Sequence, residues 1–260
     1  MPLFGICTGV ENAGVVKSAG WDFIEGNVQG VLMGDKDDGA WEASGWKEKL
    51  KGAELKMPAA NCLVPGALKI VGPEADLGKL KGYMRNVLRR AEEVGMETLV
   101  LGSGGARNVP EGFEREAARE QILEFARMSA EVAAAHGVTI VLEHLNRKEC
   151  NIVNSVEEEL EYVRALRHPN FMGLVDTWHW WLEGEGLGIV EEALPWVRHV
   201  HLADKEGRVA PGQGGGSYRE FFGVLKRGGY EGRISVEAEF VGGLGTAGEV
   251  LGFLKREWEG

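Results

Sequence analysis

No stretch of the 260 residues approaches the ~20 consecutive apolar side chains that a membrane-crossing helix needs. Basic residues are also scarce, 29 against 40 acidic ones for a formal charge of −11, and no Lys/Arg cluster forms a stripe that could follow a phosphate backbone. Extended nucleic acid and membrane are therefore not expected as partners. Cysteine is rare: Cys7, Cys62 and Cys150 are odd in number and lack CxxC spacing, so free thiols are expected rather than a disulfide or zinc framework, with a thiol nucleophile left open. Met1 to Ile6 runs straight into an apolar segment with no basic stretch ahead of it, and the expectation is a soluble cytoplasmic protein. Internal repeats, low-complexity tracts and linkers are all missing, which leaves one domain over residues 1–260 with a large core.

What is present is an alternation of short apolar runs with helical stripes. Strands are expected at Leu3 to Thr8, Trp21 to Glu25, Pro58 to Val64, Glu97 to Leu101, Val138 to Glu143, Phe171 to Asp176, Val197 to Leu202 and Arg233 to Glu239. Helices fall between them. Asp76 caps one that carries Leu77, Leu80, Val87, Leu88 and Ala91 on a single stripe, and Ser155 with Glu158 opens another. Gly26 to Gly45 reads as a long loop and candidate lid, and GSGGARNVPEGF after the fourth strand as a second glycine-rich loop. Eight strands alternating with helices over about 250 residues predict a parallel α/β fold, a single-domain (β/α)8 TIM barrel.

Within that frame four successive strands end in a metal-capable residue: Glu143 in VLEHLNRKE, Asp176 in LVDTWHW, His201 in HVHLAD and Glu237 in ISVEAEF. They are spaced by 33, 25 and 36 residues, each about one β/α unit, so a closed barrel would bring all four to its C-terminal mouth. Three carboxylates around one imidazole cannot all be ionised without a cation. A divalent metal meets that need, and an O3N shell suits manganese first, then magnesium or cobalt, with zinc less favoured. Glu239 shares a face with Glu237 and is the alternative ligand; His199 shares one with His201 and reads as core or a supporting contact. His179 is either a fifth ligand or a substrate hydrogen bonder, while His144 and His136 read as structural or exposed.

The motifs E-x-L-N-R-x-E at Glu143 to Glu149, D-T-x-H at Asp176 to His179, H-V-H-L-A-D at His199 to Asp204 and R-x-x-P-G-x-G at Arg208 to Gly214, with Glu237, carry a resemblance. In them the chain resembles the xylose isomerase-like barrels, specifically the sugar phosphate isomerase/epimerase group with its ketose 3-epimerases and hydroxypyruvate isomerases. The resemblance implies that Glu143, Asp176, His201 and Glu237 bind one divalent metal. It also implies that Glu143 and Glu237 are the catalytic pair, exchanging a proton next to a ketose or keto-acid carbonyl through a cis-enediolate, and that Glu149, His179 and Arg208 hold substrate oxygens or support the ligands. Returning the proton to the other face of the same carbon is epimerisation; returning it to the next carbon is isomerisation.

Arg107 in the loop after strand four is expected either to contact a substrate carboxylate or phosphate or to be a surface side chain. That loop lacks the aromatic segment associated with free-ketohexose 3-epimerases. Trp178, Trp180 and Trp181 would wall the pocket or meet a second copy, which leaves a homo-oligomer open. The competing functions are a metal-dependent inosose- or dehydroshikimate-type dehydratase, which removes the same proton but expels a hydroxyl, and an abasic-site endonuclease. The endonuclease needs more histidines and a basic face, and this chain has six histidines and an acidic balance. A barrel that only binds sugar would lack part of the acid–base pair or the clamp, whereas both glutamates, Glu149 and Arg208 are present.

Overall fold

The computed structural model describes residues 1–260. Its frame is eight parallel strands: β1 (Leu3–Cys7), β2 (Phe23–Asn27), β3 (Ala59–Asn61), β4 (Thr98–Leu101), β5 (Thr139–Glu143), β6 (Phe171–Asp176), β7 (Val197–Leu202) and β8 (Arg233–Val236). Each pairs with the next, and β8 returns to β1, so the barrel is closed and has no free edge. No helix is long and apolar enough to cross a membrane.

Strands covered on both faces must be apolar throughout, and β4 (TLVL) is buried at every position. Glu143 and Asp176 are the last residues of β5 and β6, His201 is the last but one of β7, and Glu237 follows β8 directly, which sets where chemistry can sit. The surrounding helices follow from their stripes and caps. Over Leu77–Val94, Leu80, Met84, Val87, Leu88 and Ala91 face the barrel, the Asp76 carboxylate accepts from the Lys79 amide at 3.0 Å, and Gly95 ends the helix at φ 75°.

Two segments differ from expectation. Residues 26–45 are not an open lid: they contain the helices Val28–Val31 and Asp38–Ala43, and Trp41 is buried with its indole N–H on the Val31 carbonyl at 3.0 Å. Buried Arg90 clasps this segment, donating to the carbonyls of Leu32, Met33 and Lys36 at 2.6–3.0 Å while its guanidinium stacks on Trp41. The segment after β6 holds a helix, Thr177–Glu183, that the sequence reading left out. Asp176 both ends the strand and caps that helix, so no turn residues separate the two elements.

Candidate active site at the barrel mouth

Register places the four expected ligands together. Asp176 pairs with His201 across β6 and β7, Glu143 closes β5, and Glu237 follows β8 directly with its amide on the Leu202 carbonyl at 3.1 Å. One ligating atom from each of Glu143, Asp176, His201 and Glu237 lies within 4.8 Å of all the others. Around His201 Nδ1, Glu143 Oε1 stands at 3.2 Å, Glu237 Oε2 at 3.4 Å and Asp176 Oδ2 at 4.0 Å. Asp176 divides its oxygens: Oδ1 accepts from the amides of Trp178 and His179, whereas Oδ2 is buried with no hydrogen-bond partner. A buried carboxylate oxygen without a donor is costly. A hard cation at the centre of three carboxylates and one imidazole would satisfy it, so the donor set fits a divalent metal.

The electrostatics divide the carboxylates. Burial pushes the Glu143 carboxyl up to about 7, with Glu237 and Asp176 adding to the push and the hydrogen bond from His201 opposing it. Burial acts on Glu237 in the same direction, but His201 and Arg208 outweigh it and hold this carboxyl below the ordinary value. Burial also opposes charge on His201, yet Glu25 and Glu237 hold the imidazolium form well above its usual range. The cluster thus calls for positive charge at its centre.

A cavity of about 310 Å³ opens above the cluster, lined by Asn61, Cys62, Ser103, Glu143, Glu149, His179, Arg208 and Glu237 among others. Asp176 and His201 lie beneath its floor, both fully buried. Gly102 makes room for Glu143, since a Cβ there would stand 2.3 Å from Glu143 Oε2. A larger, mainly apolar cavity of about 740 Å³ adjoins it and shares Gln29, but the only acid–base groups on its wall, Asp35, Lys36, Lys79 and Tyr83, lie outside the carboxylate cluster.

Arg208 reaches the cavity from the loop after β7, in the left-handed region at φ 51°. It donates to Glu237 Oε2 at 2.9 Å, approaches Glu149 Oε1 at 3.6 Å and stacks on Trp178 at 4.4 Å. A bridge between Val209 and Glu239 pins this loop to the chain after β8, so Glu239 serves through its backbone while its side chain is exposed and Glu237 is the residue in the cluster. Asp204 holds the loop from below: its carboxylate accepts from the amides of Gly212, Gly214 and Gly216 and from the Tyr218 hydroxyl. His179 accepts at Nδ1 from the Asn146 amide at 3.1 Å and its side chain at 2.9 Å. Its hydrogen is therefore on Nε2, which is buried and unpaired. Burial, with His144 beside it, pushes His179 down to about 2, so the ring is neutral at working pH.

Three sequence expectations change here. Arg107 is neither at the surface nor on the cavity wall: it is 1% exposed and donates to the carbonyls of Leu101 at 2.9 Å and Glu143 at 2.6 Å. It lies outside the cavity lining because the turn Gly104–Arg107 folds its side chain back under the barrel rim. The tryptophans form no exposed patch: Trp180 packs on Phe221, Trp181 on Tyr218, and Trp178 lies under Arg208. Finally, the structure adds a fourth carboxylate to the three of the cluster. Glu25 on β2, 1% exposed, accepts from His199 Nε2 at 2.7 Å, His201 Nε2 at 3.0 Å and Ser235 Oγ at 2.6 Å. The signal was there, an apolar Phe23-Ile24 leading into a strand-end glutamate, the pattern that exposed the other four.

A closed eight-stranded parallel β/α barrel with a carboxylate–imidazole cluster at its C-terminal mouth defines a class of enzyme-bearing scaffold. The family profile described as Xylose isomerase-like TIM barrel matches residues 14–257, and the chain belongs to that family. Among curated relatives, D-psicose 3-epimerase of Ruminiclostridium cellulolyticum is 28% identical over 180 residues, 68% of this chain and 61% of its own length. The 2-oxo-tetronate isomerase of Pectobacterium atrosepticum is 29% identical over 141 residues, 53% of either chain. The matched segments thus span less than two thirds of these relatives. In fold the likeness is nearly complete: D-allulose 3-epimerase from Methylomonas sp., solved with D-allulose, superposes with a TM-score of 0.82 at 23% identity, covering 98% of this chain and 97% of that one.

Proposed function

We propose that this chain is a divalent-metal-dependent isomerase or epimerase of a small ketose or keto-acid. The observation that carries the reading is the pair Glu143 and Glu237: both reach the same cavity, both belong to the buried cluster, and their acidities are pushed apart. Two carboxyls of one site set at different acidities supply an acid and a base in the same pH range. The relatives named as a 3-epimerase and an isomerase support the same class.

Glu143, Asp176, His201 and Glu237 would hold the metal, manganese being the best match to their donors. When bound, it supplies polarisation of a carbonyl and its neighbouring hydroxyl, which stabilises negative charge as it develops. The protein does the rest. Glu237, paired with Arg208 at 2.9 Å, takes the proton from the carbon beside the carbonyl, and Glu143, on the wall of the same cavity, delivers one. His179 offers its Nε2–H to a substrate oxygen, and Glu149 with Arg208 grips a hydroxyl at the rim. A cavity of about 310 Å³ is at the small end for ligand sites and suits a monosaccharide-sized substrate.

The test is proton exchange. In D2O with manganese present, deuterium should enter a carbon next to the carbonyl for at least one member of a panel of ketoses and hydroxy-keto acids, read by NMR. Glu237→Gln keeps the shape but not the base, and exchange should fall by roughly 10²–10⁴. Exchange at the wild-type rate in that variant removes Glu237 from the mechanism. Loss of a hydroxyl from the substrate, instead of exchange with retention, would assign a dehydratase.

A further inference from the structure

Glu25 is not on the wall of the cavity above the cluster but on that of a cavity of about 410 Å³ beside it, with Cys7 and Asn61, and none of the proton-transfer steps uses it. Its surroundings are nonetheless specific. The carboxylate is buried in the middle of β2, across the barrel from β7, and every polar group it meets has a hydrogen to give. His201 Nε2 stands at 3.0 Å from Oε1; His199 Nε2 and Ser235 Oγ stand at 2.7 and 2.6 Å from Oε2. An ionised carboxylate only accepts, so each imidazole must carry its hydrogen on Nε2. For neutral His201 that leaves the lone pair on Nδ1, the atom that faces Glu143, Glu237 and Asp176.

We propose that Glu25 is the positioning residue of the metal centre: it fixes the tautomer and ring plane of His201 so that Nδ1 is presented as the ligand, and His199 with Ser235 holds Glu25 in that position. This rests on the metal reading above and adds to it a fourth, non-ligating carboxylate. An imidazole without such a partner divides itself between two tautomers and two ring flips, and only one of these arrangements aims a lone pair at the cluster. The outer partner of a metal-binding histidine typically sets affinity by 10–100-fold. His199 reinforces the arrangement from the same strand face, two residues from His201, its ring centroid 5.1 Å away. Cys7 offers a rival arrangement, because its sulfur lies within 4.8 Å of ligand atoms of Glu25 and His201. In that case Glu25 would itself be a ligand and Nε2 the bonding atom of His201.

The full chain labelled with 15N-histidine and loaded with 113Cd2+ distinguishes them. Coupling between cadmium and His201 Nδ1, with Nε2 still protonated, is the expected result. Coupling to Nε2, or a cadmium shift showing thiolate, overturns the assignment. If no cadmium binds at all while the fold is intact, the metal reading fails first and takes this inference with it. Glu25→Gln gives the second readout: apparent Mn2+ affinity, measured by chelator competition, should drop 10–100-fold, and Cys7→Ala should leave it unchanged. An unaltered affinity in folded Glu25→Gln shows that Glu25 serves only as a buried partner for His199. Should that variant not fold, the wild-type coupling experiment decides alone.

Discussion

A guanidinium donates along a fixed fork, and Arg107 points that fork at two carbonyls at the ends of β4 and β5, those of Leu101 and Glu143. Removing it strands both acceptors in a buried place, which is the costly way to break a hydrogen bond. Arg107→Met, close in volume and without donors, should lose roughly 2–5 kcal/mol in urea unfolding, as expected when buried acceptors lose charged donors. Because the side chain lies outside the cavity, KM in the folded fraction should stay near wild type; a large rise in KM at unchanged stability would return Arg107 to the substrate. At this scale the sequence was legible where a residue's chemistry and its position at a strand end coincided. Glu143, Asp176, His201 and Glu237 were found because apolar strands led into them. Arg107 was misread because a Gly-rich context resembles an exposed loop, and nothing local reveals that a four-residue helical turn buries it.

Elements hold the site through contacts that sequence periodicity does not announce. The helix Arg219–Arg227 has no capping side chain of its own; instead Glu257, from the C-terminal helix Ala247–Glu259, accepts from the Tyr218 amide at 2.8 Å, the Arg219 amide at 3.2 Å and the Ser217 hydroxyl at 2.8 Å. Burial alone would raise this carboxyl, but those donors and Arg219 hold it below its usual value. A carboxyl depressed by folding contributes stability above its unfolded pKa of about 4.3, and that contribution is lost as pH falls through the lower folded value. Glu257→Gln should therefore cost about 1.5–3 kcal/mol at pH 7, and the gap between variant and wild type should close on acidification below about pH 4, followed by urea midpoints. A gap that is constant with pH would mean that packing, not charge, carries the contact. The same non-local logic explains what pattern reading gained and missed. β6 and β7 fall at the expected residues because β6 is a continuous buried run and β7 is one broken only at the exposed Arg198. The segment holding the helices Val28–Val31 and Asp38–Ala43 reads as a lid in the sequence because it is rich in Gly and Asp, while the buried Trp41 and Arg90 that organise it lie 49 residues apart.

Over the whole molecule the barrel was legible because eight repeats of one alternation leave few other closed folds, and the site because barrel strands deliver their ends to one rim. The acidic balance makes a global test of the centre worth separating from diffuse attraction, since a chain of net charge −11 gathers cations whether or not it has a site. A ligand bound only by the folded state stabilises it by about 2.7 kcal/mol at a hundredfold excess over its Kd. For a chain of this length that corresponds to a rise in Tm of roughly 5–10 °C. Manganese titrated into chelator-treated protein should produce such a rise, saturating at one ion per chain and reversing with chelator. Asp176→Asn, which removes the unpaired Oδ2 while keeping the Oδ1 that caps Thr177–Glu183, should abolish the rise with the fold kept. Diffuse binding would behave otherwise: it would not saturate at one ion, would survive Asp176→Asn, and would fade in 0.5 M KCl, where screening shortens the reach of surface charge to about 4 Å. A salt-sensitive rise of that kind would place the cation on the acidic surface and leave the barrel mouth without a metal.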